Sequence, residues 1–194
     1  MGSEMCIRDR YLQYGLNINK MMVIRKATVE DIPLINKLAW EVFPATYQSI
    51  LTREQIEYMM EWMYSYENLH RQMENEGHVY FLACDADEAL GYVSVRQETD
   101  DLFHLEKIYI KPCCQKKHLG KKLFERAISA IKEVHPEPCR MELNVNRQNP
   151  ALGFYEHMGM EKVREGDFPI GAGFYMNDYI TVSYTHLTLP TIRL

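Results

Sequence analysis

Leu105-Glu106-Lys107-Ile108-Tyr109-Ile110-Lys111-Pro112-Cys113-Cys114-Gln115-Lys116-Lys117-His118-Leu119-Gly120-Lys121-Lys122-Leu123-Phe124-Glu125-Arg126-Ala127-Ile128 is the stretch on which the fold turns. Its first part has the apolar density of a buried strand. Behind it Leu119, Leu123, Ala127, Ile131 and Val134 recur at helical spacing, so the chain passes from a strand through a cationic loop into an amphipathic helix. Lys116, Lys117, Lys121 and Lys122 crowd the start of that helix, and no acidic residue offsets them before Glu125. A helix N-terminus carries partial positive charge, so each basic residue there costs roughly 0.3–1 kcal/mol. A bound polyanion would remove the conflict by meeting both the lysines and the open backbone N–H groups, and Gly120 would let it come close to the backbone. The alternative is a solvated cationic face beside a helix. A P-loop and a Rossmann fingerprint are both excluded, since the loop has one glycine and no hydroxyl residue after its lysines.

The strand itself changes phase. Phe103 and Leu105 share one parity and Ile108 and Ile110 the other, a one-residue slip near Glu106 and Lys107 that a β-bulge would produce. A strand buried on both faces would also tolerate it.

The 194 residues are 46% hydrophobic and 25% charged, which predicts one ordinary globular domain with a full core. The apolar runs are too short for a membrane span and no secretory leader is legible, so a cytoplasmic location is expected. The five cysteines include no Cys-x-x-Cys pair and fit neither a disulfide framework nor a metal site. A net charge of −5 argues against nucleic acid as a partner and is compatible with a cationic small-molecule substrate. A homodimer is left open.

Taken in order, the chain has no clear periodicity over residues 1–20, and Met21-Met22 stand directly before a first strand, Val23 to Ala27. Thr28 and Asp31 have capping-box spacing for a helix carrying Ile32, Ile35, Leu38, Ala39 and Val42, which Phe43-Pro44-Ala45-Thr46-Tyr47 is expected to break. Thr52 and Gln55 cap a second helix, and Leu69 with Met73 predicts a further turn or two. A hairpin follows, His78–Cys84 with Ala89–Gln97, then the central strand and helix, then a strand Arg140–Asn146. Asn149 as N-cap, Pro150 at the first helical position and Gly159 as C-cap punctuate a short helix. Met160–Arg164 and Phe174–Ile180 read as closing strands. The order predicts an α/β (α+β) domain over residues 21–180, with a mixed, mostly antiparallel central sheet flanked by helices. Residues 1–20 read as an extension outside the domain, and Thr181–Leu194 as a tail foreign to it.

Two segments then form one pattern. Gln115-x-x-His118-x-Gly120 after a strand resembles the pyrophosphate loop of the GNAT superfamily of N-acetyltransferases, Gln/Arg-x-x-Gly-x-Gly/Ala, and Asn149-Pro-Ala-x-x-Phe-Tyr-x-x-x-Gly159 resembles its second motif at the right spacing. The departure is His118 where the family has its first glycine, and a histidine there is expected to keep its backbone away from positive φ. The resemblance covers Val23 to Ile180. It implies direct transfer of acetyl from acetyl-CoA to an amine in a ternary complex, without a covalent enzyme intermediate and without a metal. It further implies that Gln115, Lys116, Lys117, His118, Leu119, Gly120 and Lys121 hold the phosphates, that the backbone of Ile108, Tyr109 and Ile110 aligns the pantetheine arm as an added strand would, and that Asn149 reaches the cofactor.

An alkylamine is protonated near neutrality and must lose a proton before it attacks; Glu106, at the bulge, lies where the family often places the base. A salt-bridged strand glutamate is the alternative. Tyr155 occupies the position of the family's acid, which protonates the departing thiolate, or else is a core aromatic. The strand, loop and Phe154-Tyr155-Glu156-His157-Met158-Gly159 segments look like the bacterial spermine/spermidine and diamine acetyltransferase branch. A protein N-terminal acetyltransferase of the ribosomal-protein type and a non-catalytic acyl-CoA-binding module are the competing readings. Glu54, Glu57, Glu61, Glu67, Asp100 and Asp101 are expected to border the acceptor side.

Overall fold

The computed structural model describes residues 22–85, 88–115 and 118–184. Seven strands form one sheet in the order β1-β2-β3-β4-β5-β7-β6: β1 (Met22–Lys26), β2 (Val79–Asp85), β3 (Glu88–Gln97), β4 (Leu102–Ile110), β5 (Arg140–Asn146), β6 (Glu161–Gly171) and β7 (Phe174–Tyr184). Every neighbouring pair is antiparallel except β4 with β5. Helices α1 (Ile32–Tyr47), α2 (Arg53–Tyr64) and α3 (Tyr66–Glu74) precede the β2–β3 hairpin, α4 (Leu119–Val134) joins β4 to β5, and α5 (Leu152–His157) joins β5 to β6. This is the mixed, mostly antiparallel sheet flanked by helices that the sequence predicts.

Two apolar cores lie on the two faces of the sheet. On one, α4 buries Leu119, Leu123, Phe124, Ala127 and Ile131 against Phe81, Val93, Phe103, Leu105, Met141 and Leu143. On the other, α1 to α3 bury Ile35, Leu38, Phe43, Tyr47, Met60, Tyr64 and Leu69 against Tyr80, Leu82 and Tyr92. Each large apolar side chain so buried contributes about 1.5–3 kcal/mol. Thr52 caps α2 as expected, its Oγ1 accepting from the Gln55 N–H at 3.2 Å.

The phase slip in β4 is a bulge. Ser94 pairs with Lys107 and Val95 with Leu105, which leaves Glu106 as the extra residue. The slip lets Phe103, Leu105, Ile108 and Ile110 all pack on the α4 core despite their opposite parities, and it turns Lys107 and Tyr109 to the α1–α3 side. Gly91 on β3 is required by this close pairing, because a Cβ there would stand 2.7 Å from the Tyr109 carbonyl oxygen.

Three local expectations are corrected. Pro44 does not end α1, which continues to Tyr47 because Phe43 and Tyr47 bury in the α1–α3 core, a tertiary gain that offsets the lost backbone bond. Helix α5 starts at Leu152 rather than after Asn149; the Asn149 side chain instead closes a turn, its Oδ1 accepting from the Ala151 N–H at 2.9 Å. The last strand passes the boundary expected at Ile180 and runs to Tyr184, with Thr181 and Val182 buried between β5 and β6 partners. The extension over residues 1–20 and positions 185–194 lie outside the described residues.

Candidate functional site

The parallel ladder of β4 with β5 covers Leu102–Arg140, Phe103–Met141 and His104–Glu142, and stops there. Beyond it β4 stays with β3 as far as Ile110, and β5 stays with β7 as far as Asn146. The sheet therefore opens into a wedge between the second halves of β4 and β5. The Lys111 N–H donates to the Leu90 carbonyl of β3 at 2.9 Å, so by strand alternation Ile108 and Ile110 turn their backbone N–H and C=O groups to the wedge, whereas Tyr109 turns its own to β3. An extended ligand entering the wedge meets a strand edge with hydrogen-bonding groups to offer.

Helix α4 begins at the outer end of this edge. Its first helical bond runs from the Lys122 N–H to the His118 carbonyl, so the N–H groups of Leu119, Gly120 and Lys121 precede the intrahelical ladder. The first turn has no acidic residue, and among the described residues the ion pair of Lys121 is a long contact of 3.8 Å with Glu125. His118 adopts φ 58° and ψ 9°, contrary to the expectation that it would avoid positive φ. The left-handed conformation costs a residue with a Cβ roughly 1–2 kcal/mol, and strain of this kind persists where the surrounding structure requires the turn. Gly120 serves packing: a Cβ there would meet Ile110 at 3.2 Å and Phe154 at 3.5 Å, so the missing side chain lets α4 settle on β4 and α5. Gln115 closes the short 3-10 turn Pro112–Cys114 before the loop. Lys116 and Lys117 lie outside the described residues.

On the α1–α3 side of the wedge Tyr47 is central. Its buried hydroxyl accepts from Asn149 Nδ2 at 3.4 Å and stands 3.5 Å from the Tyr109 hydroxyl. Tyr155, on α5, is 8% exposed, close enough for Tyr47 to act on it electrostatically and for it to act on Tyr109. Burial, reinforced by Tyr47, holds the Tyr155 hydroxyl well above its ordinary pKa, so it stays protonated at neutral pH. The fold thus brings Tyr155, Tyr109 and Asn149 together around a residue that the sequence analysis treated as part of a helix break. The signal for Tyr47 was available in its i, i+4 relation to Phe43, which continues the apolar face of α1.

Glu106 belongs to a neighbouring cluster on the same sheet face. Its Oε1 accepts from Arg96 Nε at 2.8 Å, and Arg96 also pairs with Glu98 at 2.8 Å. Burial alone would raise the Glu106 pKa; the charges of His104 and Lys107 and the Arg96 hydrogen bond outweigh it and hold the carboxylate below its usual range. His104 lies 3.8 Å from Glu98. The acidic residues Glu54, Glu57, Glu61, Glu67, Asp100 and Asp101 are all exposed. A separate surface cleft of about 340 Å³, lined by residues of β1, α3 and β2, shares no residue with the tyrosine cluster.

Comparison with known proteins identifies the family and the fold. Residues 47–171 match the family model of the acetyltransferase (GNAT) domain. The chain is 31% identical over 158 residues to the spermidine N(1)-acetyltransferase of Thermoplasma acidophilum, covering 79% of this chain and 94% of that one. Among solved structures, the PaiA N-acetyltransferase of Thermoplasma acidophilum in complex with coenzyme A superposes with a TM-score of 0.70 at 25% identity, covering 84% of this chain and 98% of that one. The ribosomal-protein-S18-alanine N-acetyltransferase of Escherichia coli shares the fold, with a TM-score of 0.64 at 14% identity over 90% of this chain and all of that one.

Proposed function

We propose a substrate and a mechanism from one premise: this chain belongs to the GNAT acetyltransferase family. It is an acetyl-CoA-dependent N-acetyltransferase. The acceptor is a polyamine or diamine, and the observation that carries this assignment is the 31% identity to a spermidine acetyltransferase across most of both chains.

The residues present suit the donor. The edge groups of Ile108 and Ile110 would receive the pantetheine arm, and the N–H groups at the start of α4, with Lys121 beside them, would receive the pyrophosphate. Acetyl-CoA supplies an activated acyl carbon and a thiolate leaving group. Glu106 takes the proton that the incoming ammonium must lose, through water, and its ion pair with Arg96 keeps it ionised wherever the amine reacts. Tyr155 hands a proton to the sulfur as the C–S bond breaks and recovers one from the nitrogen, so the phenol ends as it began. Asn149 and Tyr109 hold the Tyr47 hydroxyl in place.

Competitive assays with spermidine, putrescine, lysine and an alanine-terminated peptide, each at two salt concentrations, test the acceptor. Preference for spermidine or a diamine, with a Michaelis constant that rises with salt, is the expected result. Preference for the peptide would leave the acetyltransferase in place and overturn the polyamine assignment.

Replacing Glu106 with glutamine should move the rising limb of the pH–rate profile to higher pH, because the amine would then depend on its own ionisation. A profile that stays in place assigns the proton acceptor elsewhere.

A further inference from the structure

Asp178 is a buried acid that no step above uses. It is 5% exposed on β7, paired through its backbone with Asn146 of β5 and Gly166 of β6. Its strand neighbour Met176 faces the α1–α3 core and touches Gln55 of α2, so by the period-two alternation Asp178 points to that same face. Tyr47 lies within its electrostatic reach. Among the described residues Oδ1 has no hydrogen-bond partner.

That orphan oxygen contrasts with Glu106. The fold gives Glu106 its own cations, Arg96 and Lys107. Arg147, the cation acting on Asp178 at longer range, pairs with Asp167 instead. A buried carboxylate without a bonded cation is costly, and a cation that reaches it relieves that cost. The aromatic group within its reach is Tyr47, whose hydroxyl stands 3.5 Å from that of Tyr109, and aromatic faces attract ammonium groups.

We propose that Asp178 holds a second, non-reacting ammonium group of the acceptor and so selects diamines and polyamines over monoamines. The proposal deepens the assignment of a polyamine acceptor and rests on it. β4 and β7 are two strand spacings apart, with β5 between them, so Asp178 and Glu106 stand at least about 10 Å apart across the sheet. A flexible diamine can reach from one to the other with its reacting nitrogen over the wedge. Burial pushes the Asp178 carboxyl up to about 6, against the lowering effects of the Asn144 hydrogen bond and the Arg147 charge. At pH 7 and above it is ionised and ready for an ammonium, and selectivity should fade as pH drops below about 6.

The test is Asp178→Asn assayed with spermidine, putrescine and a monoamine of similar length, alongside calorimetric CoA affinity and thermal melts at pH 8 with and without spermidine. The expected result is a roughly tenfold or larger rise in KM for the diamines with kcat and CoA affinity retained, a much smaller change for the monoamine, and loss of the melting-temperature gain that spermidine gives the unaltered protein. The variant should itself melt higher than the unaltered protein at pH 8, since an amide removes the unpaired buried charge. Equal KM changes for monoamine and diamine, or a loss confined to kcat for both, would overturn the proposal. If the unaltered protein acetylates no diamine, the acceptor assignment has failed first, and that outcome is visible before any variant is made.

Discussion

Replacing Tyr155 with phenylalanine is expected to lower kcat by roughly ten- to a thousand-fold while leaving CoA affinity nearly unchanged. The substitution deletes one hydroxyl and keeps the ring, which packs edge-on against Phe154 at 5.4 Å and, through Phe154, against Phe124 of α4. The fold should therefore survive. What is lost is a protonated phenol in a dry site, kept protonated by burial and by Tyr47. A hydroxyl with so high a pKa is a reluctant acid, but it can lend a proton to a nascent thiolate if it recovers one from the acetylated nitrogen in the same event. If so, kcat and kcat/KM fall together, because the interaction exists only as the C–S bond breaks. An unchanged rate would make Tyr155 a packing residue.

The architecture was legible where local pattern and burial agree. The helical stripe from Leu119 to Ile131 and the alternation of Arg140–Asn146 each point to one core face, and the structure uses them so. The bulge at Glu106 was legible for the same reason, since four apolar residues of mixed parity can share one core only if the strand slips. What the sequence hid depends on contacts distant in the chain. Tyr47 looked like the end of a broken helix because Pro44 speaks against helix locally, and only its burial beside Tyr109 and Asn149 overrides that. His118 looked unsuited to a left-handed turn, but the junction between β4 and α4 imposes one. Asp178 carried a readable sign, an acid between Met176 and Ile180 at the buried parity of its strand, yet its want of a bonded cation appears only once Arg147 is found on Asp167.

Lys107 leads to the last prediction, which concerns stability. Its ammonium is buried on the α1–α3 side, donating to Gln72 Oε1 at 3.0 Å, with the Tyr80 and Tyr64 rings 5.5 and 5.8 Å away. Burial lowers its pKa to about 8, against the attraction of Glu106 and Glu76, with Arg96 lowering it further. Set against an ordinary lysine at 10.5, that shift corresponds to a cost on the order of 3 kcal/mol for keeping the charge folded at pH 7. Between about pH 8 and 10.5 the unfolded chain binds more protons at this site than the native one, so this cost fades and stability rises with pH through that window. Lys107→Met should therefore raise stability at pH 7 by about 1–3 kcal/mol, measured by denaturant unfolding. The gain is smaller than the full cost because the substitution also gives up the hydrogen bond to Gln72 and the tyrosine faces. No orphan is left behind, since Gln72 Oε1 still accepts from the Tyr80 hydroxyl at 2.6 Å and Glu106 keeps Arg96. The difference between variant and unaltered protein should shrink as pH passes from 8 to 10, a readout that cancels the other groups titrating there. A variant that is less stable at pH 7, with a difference independent of pH, would mean that the tyrosine faces and Gln72 fully compensate the charge. The same substitution removes one of the charges that hold Glu106 below its usual range, so the stabilised variant should carry a Glu106 carboxylate that protonates at higher pH. With Glu106 as the proposed proton acceptor, the acidic limb of the variant's rate profile should move to higher pH with it.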